Sequence, residues 1–152
     1  MCGIFGFISN NNGFEKVLGK KILENLYKLS ETRGKEASGL MVSNKQEIHV
    51  IKDSIPASEL VKKRVYNKTI DNFLKSDNET CAIGHSRLVT NGSAEDNNNN
   101  QPFYFSGISV VHNGIITNEE SLWKKNLDLD KKSTNLDTEI FTKIFKKNLY
   151  TF

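Results

Sequence analysis

At 152 residues the chain is about one domain in length, enough to bury a core without disulfide or metal staples. With 37% hydrophobic and 26% charged residues it is globular in composition, which excludes a disordered or membrane-embedded chain. The 21 basic and 18 acidic side chains leave +3, and the basic runs at 62–64, 124–125, 131–132 and 146–147 are interspersed with acids, so no nucleic-acid partner is expected.

Cys2 and Cys81 are too few for a stapled secreted domain. No run of about 18 apolar residues offers a membrane span, and the first residues lack the basic leader of a signal peptide. A reduced, cytoplasmic setting with no membrane partner is the expectation, and the Asn-X-Ser/Thr triplets at Asn67, Asn78 and Asn91 are then chance matches.

In chain order, CGIFGFIS is short, apolar and stopped by NNNG, and reads as a buried strand. Residues 14–30 follow helical spacing, with Val17, Leu18, Ile22, Leu26 and Leu29 on the expected core side. After the turn ETRGKEASG, GLMVS and EIHVIK read as two strands joined by NKQ. Pro56 suits a helix start, and residues 58–74 read as one helix. TCAIGHSRLV is a strand entering a glycine-containing loop, and residues 92–101, with EDNNNNQ, are a polar surface loop by composition. SGISVVHNGII is a further strand with a turn at its end. Asn118 caps a short helix running through Trp123, and residues 137–149 form the last helix, with Ile140, Phe141, Ile144 and Phe145 on one face. Strands at the start and middle with helices between them give an α+β layered domain.

Four stretches place glycines and polar residues at strand ends: MCGIFGF, TRGKEASG, GHSRLVTNG and VVHNGIITN, with TNLDTEI as a fifth. One at a time they have ordinary readings. Cys2 is a small core residue, Arg33 and Arg87 are surface or ion-pair arginines, Asn113–Gly114 is a turn, and Asp137 is a charge at a helix N-terminus. His85 and His112 have no third ligand at a suitable spacing, so neither a metal nor another cofactor is expected. The N-terminus has a further reading. Met1 is normally removed before a small residue, which would leave Cys2 with a thiol and a free α-amine on one carbon, a nucleophile with a base built in.

As an ordered set, MCGI, RGKEASG, GHSRLVTNG, QPF, HNGIITN and LDTE resemble the glutaminase domain of the class II (N-terminal-nucleophile) glutamine amidotransferases, over essentially the whole chain. RGKEASG, IGHSR, QPF and ITN lean toward glutamine phosphoribosylpyrophosphate amidotransferase, HNGII and DTE toward glucosamine-6-phosphate synthase. The resemblance implies a four-layer αββα sandwich of the N-terminal-nucleophile hydrolase type, with L-glutamine as substrate and glutamate and ammonia as products. Position by position it implies Cys2 as nucleophile, Asn113 and Gly114 as oxyanion hole, and Arg87 on the α-carboxylate. It implies Asp137 on the α-amino group, Thr90 as a further substrate contact, and Arg33 as the anchor of the loop beside the nucleophile.

The chemistry suits those roles. A cysteine thiol with a reference pKa of about 8.5 is mostly protonated at neutral pH and needs a base, and an α-amine near 7.7–8.0 can take and return its proton. An arginine fork and a carboxylate suit the two charges of a free amino acid. The family's domain continues past the DTE helix, so residues 1–152 are expected to be a shortened glutaminase domain, its sandwich incomplete at the C-terminus and without an acceptor domain. Ammonia would pass to a partner or a missing region. Weak activity in isolation and self-association into a homo-oligomer are further expectations. Two other readings stay open: an inactive or regulatory glutamine-binding module, and an N-terminal-nucleophile amidase acting on another amide.

Overall fold

The computed structural model describes residues 1–9, 16–74, 79–89, 95–130 and 132–149. Among them β1 (Gly3–Ser9), β2 (Ala37–Ser43), β3 (Ile48–Asp53) and β4 (Thr80–Arg87) pair antiparallel in the order β1-β4-β2-β3. Helices α1 (Lys16–Glu31), α2 (Ala57–Leu60) and α3 (Arg64–Phe73) cover one face of this sheet. A second sheet is the hairpin β5 (Phe103–Phe105) and β6 (Ile108–Val110), against which α5 (Thr138–Asn148) packs; α4 (Glu119–Lys125) lies between them in sequence. The class is α+β, as the spacing of strands and helices predicts.

Alternation along β1 sends Phe5 and Phe7 to the helical side, where they join Leu23, Tyr27, Leu40, Val42, Tyr66, Ile70 and Phe73. The Phe5 ring lies edge-on to Tyr27 at 4.7 Å and covers Gly84 of β4, where an added Cβ would come within 2.1 Å of the ring. The β2–β3 turn is held by Asn44, whose Oδ1 accepts from the backbone amides of Gln46 and Glu47. The β5–β6 turn, Ser106–Gly107, has φ of +49° and +87°, the left-handed pair that lets a two-residue hairpin follow the strand twist.

Five expectations are corrected. The single helix over 58–74 is two helices, because Ala57 and Tyr66 are both buried yet lie nine residues apart, about two and a half turns, and would point to opposite sides of one straight helix. Asn67 holds the break, donating from Nδ2 to the carbonyls of Val61 and Lys63 at 2.9 and 3.0 Å. The buried side of α1 is Gly19, Leu23, Tyr27 and Ser30, while Val17, Leu18 and Leu29 are exposed: Leu23 and Tyr27 enter the core and the Ser30 backbone lies against Gly3. In α5, Phe141 and Phe145 are exposed and the buried face is largely polar, with Thr138, Glu139, Thr142 and Lys143 beside Ile140. The strand read through residue 116 ends at Val110, and the buried run Asn99, Asn100 and Gln101 falls where a surface loop was expected.

Candidate active site

The register of the large sheet assembles the site. Gly3 faces Ser86 and Ala37 faces Arg87, so the start of β1, the end of β4 and the start of β2 meet at one sheet end. Cys2 therefore emerges beside Arg87 and Leu88. The Leu88 amide donates to Cys2 Sγ at 3.4 Å, and the thiol lies 3.5 Å from the Leu88 carbonyl. The turn after α1 is pressed onto the same place. A Cβ on Gly34 would come within 2.3–2.5 Å of the Arg87–Leu88 backbone, so only glycine fits. One residue earlier, Arg33 Nε donates to the Cys2 carbonyl at 3.2 Å.

Residues 111–116 leave β6 and reach across to Cys2. The backbone N–H of Cys2 donates to Asn113 Oδ1 at 3.0 Å. An N–H can be met only by the amide oxygen, so Asn113 Nδ2 is left on the other prong as a donor. From the far side comes Asp137, at the N-cap of α5. Its carboxylate caps no helix amide; Oδ2 accepts from the Ile116 amide at 2.7 Å and Oδ1 stands 3.7 Å from His112 Nδ1. Cys2, Arg87, Gln101, His112, Gly114 and Asp137 line one cavity. Of the residues singled out in the sequence, Cys2, Arg87, Gly114 and Asp137 thus share a cavity wall, Asn113 and Arg33 adjoin through Cys2, and Thr90 lies outside the described residues.

Arg87 is buried, and its Nη1 donates to the Asn99 carbonyl and to Asn100 Oδ1, both at 2.7 Å. Burial lowers its pKa from the ordinary arginine range, against opposing pulls from the Cys2 sulfur and the Glu36 carboxylate. Beside it His85 is 1% exposed, and among the described residues neither ring nitrogen meets hydrogen-bond geometry with a partner. Burial first and the Arg87 charge second push its pKa down to about 4, a smaller pull from the His112 backbone opposing them. His85 is therefore a neutral imidazole near pH 7.

The sequence reading missed two supports. The first is the run Asn99, Asn100, Gln101, each buried. Asn99 Oδ1 accepts from the Asn135 amide at 2.8 Å, and the Gln101 side chain brackets His112, accepting from its N–H and donating to its carbonyl. A run of asparagines looks like a solvated loop by composition; the one hint was the adjacent Gln-Pro, whose peptide bond is cis. The second is Glu139, fully buried. It accepts from the amide and hydroxyl of both Ser133 and Thr134, and from Lys143 Nζ at 2.7 Å. Desolvation would raise its pKa, but Lys143, Thr134 and Ser133 together outweigh that and hold it low. Glu139 thereby fixes the loop that delivers Asp137.

No protein-family model matches the chain. It is 30% identical over 148 residues to a glutamine–fructose-6-phosphate aminotransferase (isomerizing) of Halalkalibacterium halodurans, covering 97% of this chain and 22% of that protein. It is 33% identical over 151 residues to the enzyme of that name from Chlamydia muridarum, covering 95% and 22%. To an amidophosphoribosyltransferase of Pseudomonas aeruginosa it is 29% identical over 154 aligned residues, covering 98% and 28%. The chain spans only between 22% and 28% of the length of these curated relatives. Along nearly its whole length it is a homologue of the class II glutamine amidotransferase domains that such enzymes carry.

Proposed function

We propose that residues 1–152 are a glutaminase domain that hydrolyses the side-chain amide of L-glutamine through Cys2 and supplies the ammonia to an acceptor site on another region or partner. The observation that carries this reading is the 3.0 Å bond from Cys2 N to Asn113 Oδ1, made beside a cavity with Arg87 on one wall and Asp137 on another. Met1 is 74% exposed, so its removal strips nothing from the core and turns that nitrogen into an α-amine. The four-layer αββα sandwich follows from the family, a homo-oligomer from the exposed apolar sheet face, and a cytoplasmic setting from the two cysteines, which are free thiols.

In the proposed reaction Arg87 pairs with the α-carboxylate of glutamine and Asp137 with its α-ammonium, which sets the amide carbon against Cys2 Sγ. The α-amine takes the thiol proton as sulfur attacks that carbon. The carbonyl π electrons move to oxygen, where Asn113 Nδ2–H and the Gly114 amide meet the charge. Collapse re-forms the carbonyl, the C–N bond breaks, and the α-ammonium protonates the departing nitrogen, releasing ammonia and leaving a thioester. Water then attacks, giving its proton to the same amine. The C–S bond breaks, glutamate leaves and the thiolate recovers the proton. Arg33, held on the Cys2 carbonyl, keeps the nucleophile's backbone in place, and Thr90 is assigned a substrate contact on family resemblance alone.

The test is glutamate and ammonia release from glutamine, together with labelling by a diazoketone analogue of glutamine. The label is expected on Cys2 as the N-terminal residue, with no turnover in Cys2→Ala. Label on Cys81, or full activity in Cys2→Ala, would overturn the assignment.

A further inference from the structure

We propose that Gln101 is a positioning residue for the oxyanion loop, its side-chain amide standing in for the strand partner that residues 111–114 lack among the described residues; this rests on the function proposed above. Strand β6 stops at Val110, so the ladder ends before the segment reaches Cys2. At His112, next to Asn113, the ladder's two hydrogen bonds are replaced by one side chain: His112 N–H donates to Gln101 Oε1, and Gln101 Nε2 donates to the His112 carbonyl at 3.2 Å. A single primary amide can satisfy a backbone donor and acceptor together, which a hydroxyl or an apolar side chain cannot.

Gln101 is itself fixed. It is 7% exposed, and its carbonyl lies against Gly39 of β2, where an added Cβ would come within 2.1 Å of that oxygen. The residues before it, Asn99 and Asn100, take both bonds from Arg87 Nη1. One buried run therefore grips the arginine of the proposed carboxylate site with its first two residues and the oxyanion loop with its third. The two tasks sit on different side chains, so they separate by mutation. Loss of the Gln101 amide leaves Arg87 with its partners and Asp137 on the loop that Glu139 holds, and frees the segment that carries Asn113 and Gly114. Binding of glutamine should persist while stabilisation of the developing oxyanion falls.

Two variants of the full gene product, with Met1 removed, test this by steady-state glutamate formation across pH. Gln101→Leu deletes both bonds. Its kcat is expected to fall by about tenfold to a hundredfold, somewhat less than loss of a whole oxyanion donor, with KM for glutamine within about threefold of the unaltered value. Gln101→Glu keeps the acceptor but sets a carboxylate oxygen against the His112 carbonyl; once protonated it again offers one donor and one acceptor. Its kcat relative to the unaltered protein should therefore be low at neutral pH and rise as pH falls, a profile that loss of packing alone would not give. If Gln101→Leu does not fold, the pH profile of Gln101→Glu decides alone. Unchanged kcat in both variants, a loss confined to KM, or a Gln101→Glu deficit independent of pH would overturn the proposal. No glutamate from the unaltered protein would instead remove the underlying function, and this role with it.

Discussion

Burying His85 beside the Arg87 guanidinium ties stability to pH. Its folded pKa of about 4 lies below the unfolded value, so between the two the unfolded chain binds more protons. The neutral ring's contribution is complete above about pH 6.5 and is lost as pH falls toward 4; a shift of this size corresponds to roughly 3 kcal/mol. Thermal midpoints should drop across that window, and His85→Leu should flatten this part of the curve. At the cavity, Arg87→Ala and Asp137→Ala should each raise KM for glutamine strongly, because each leaves one end of a zwitterion unpaired; breaking such a buried pair costs about 3–5 kcal/mol. Near-normal KM in both would refute the clamp. That Cys2, Asn113 and Gly114 come together was readable because their order and spacing are distinctive. The place of Asn99 and Asn100 was not, because burial of an asparagine depends on partners far away in sequence, and composition alone points such a run toward solvent; Gln101 stood out only as the start of QPF, without a role.

Helices show the same division between local pattern and tertiary choice. The periodicity of α1 locates a helix, but its apolar arc is wide; the side that docks carries Leu23 and Tyr27 into the core and sets the Ser30 backbone against Gly3. In α5 the apolar residues Phe141 and Phe145 drew attention to the face that is exposed, while the buried face holds an ion pair that no hydrophobic pattern can reveal. That pair makes a prediction. Lys143→Ala leaves the buried Glu139 carboxylate without its cation and should destabilise the fold by about 3–5 kcal/mol, measured by urea unfolding. Because Glu139 also binds Ser133 and Thr134, the variant should raise KM for glutamine through Asp137, and Lys143→Arg should recover part of both losses.

Across the molecule the large sheet is covered unequally. Its helical face is closed, whereas on the other face Ile4, Ile8 and Ile48 are exposed, Ile8 at 81%, and β1 is an outer strand of that sheet. An apolar face beside an outer strand invites association. The chain on its own should scatter light as oligomers at high concentration, and Ile8→Lys should reduce this with little change in thermal midpoint. The contact between the Cys2 nitrogen and Asn113 carries a different consequence. With any residue ahead of Cys2 that nitrogen is an amide, whose lone pair is delocalised and cannot take a proton, so on the proposed mechanism the newly made chain would stay inactive until Met1 is lost. A fusion partner or affinity tag at the N-terminus should leave the fold intact and the enzyme silent, and the same tag moved to the C-terminus should restore turnover.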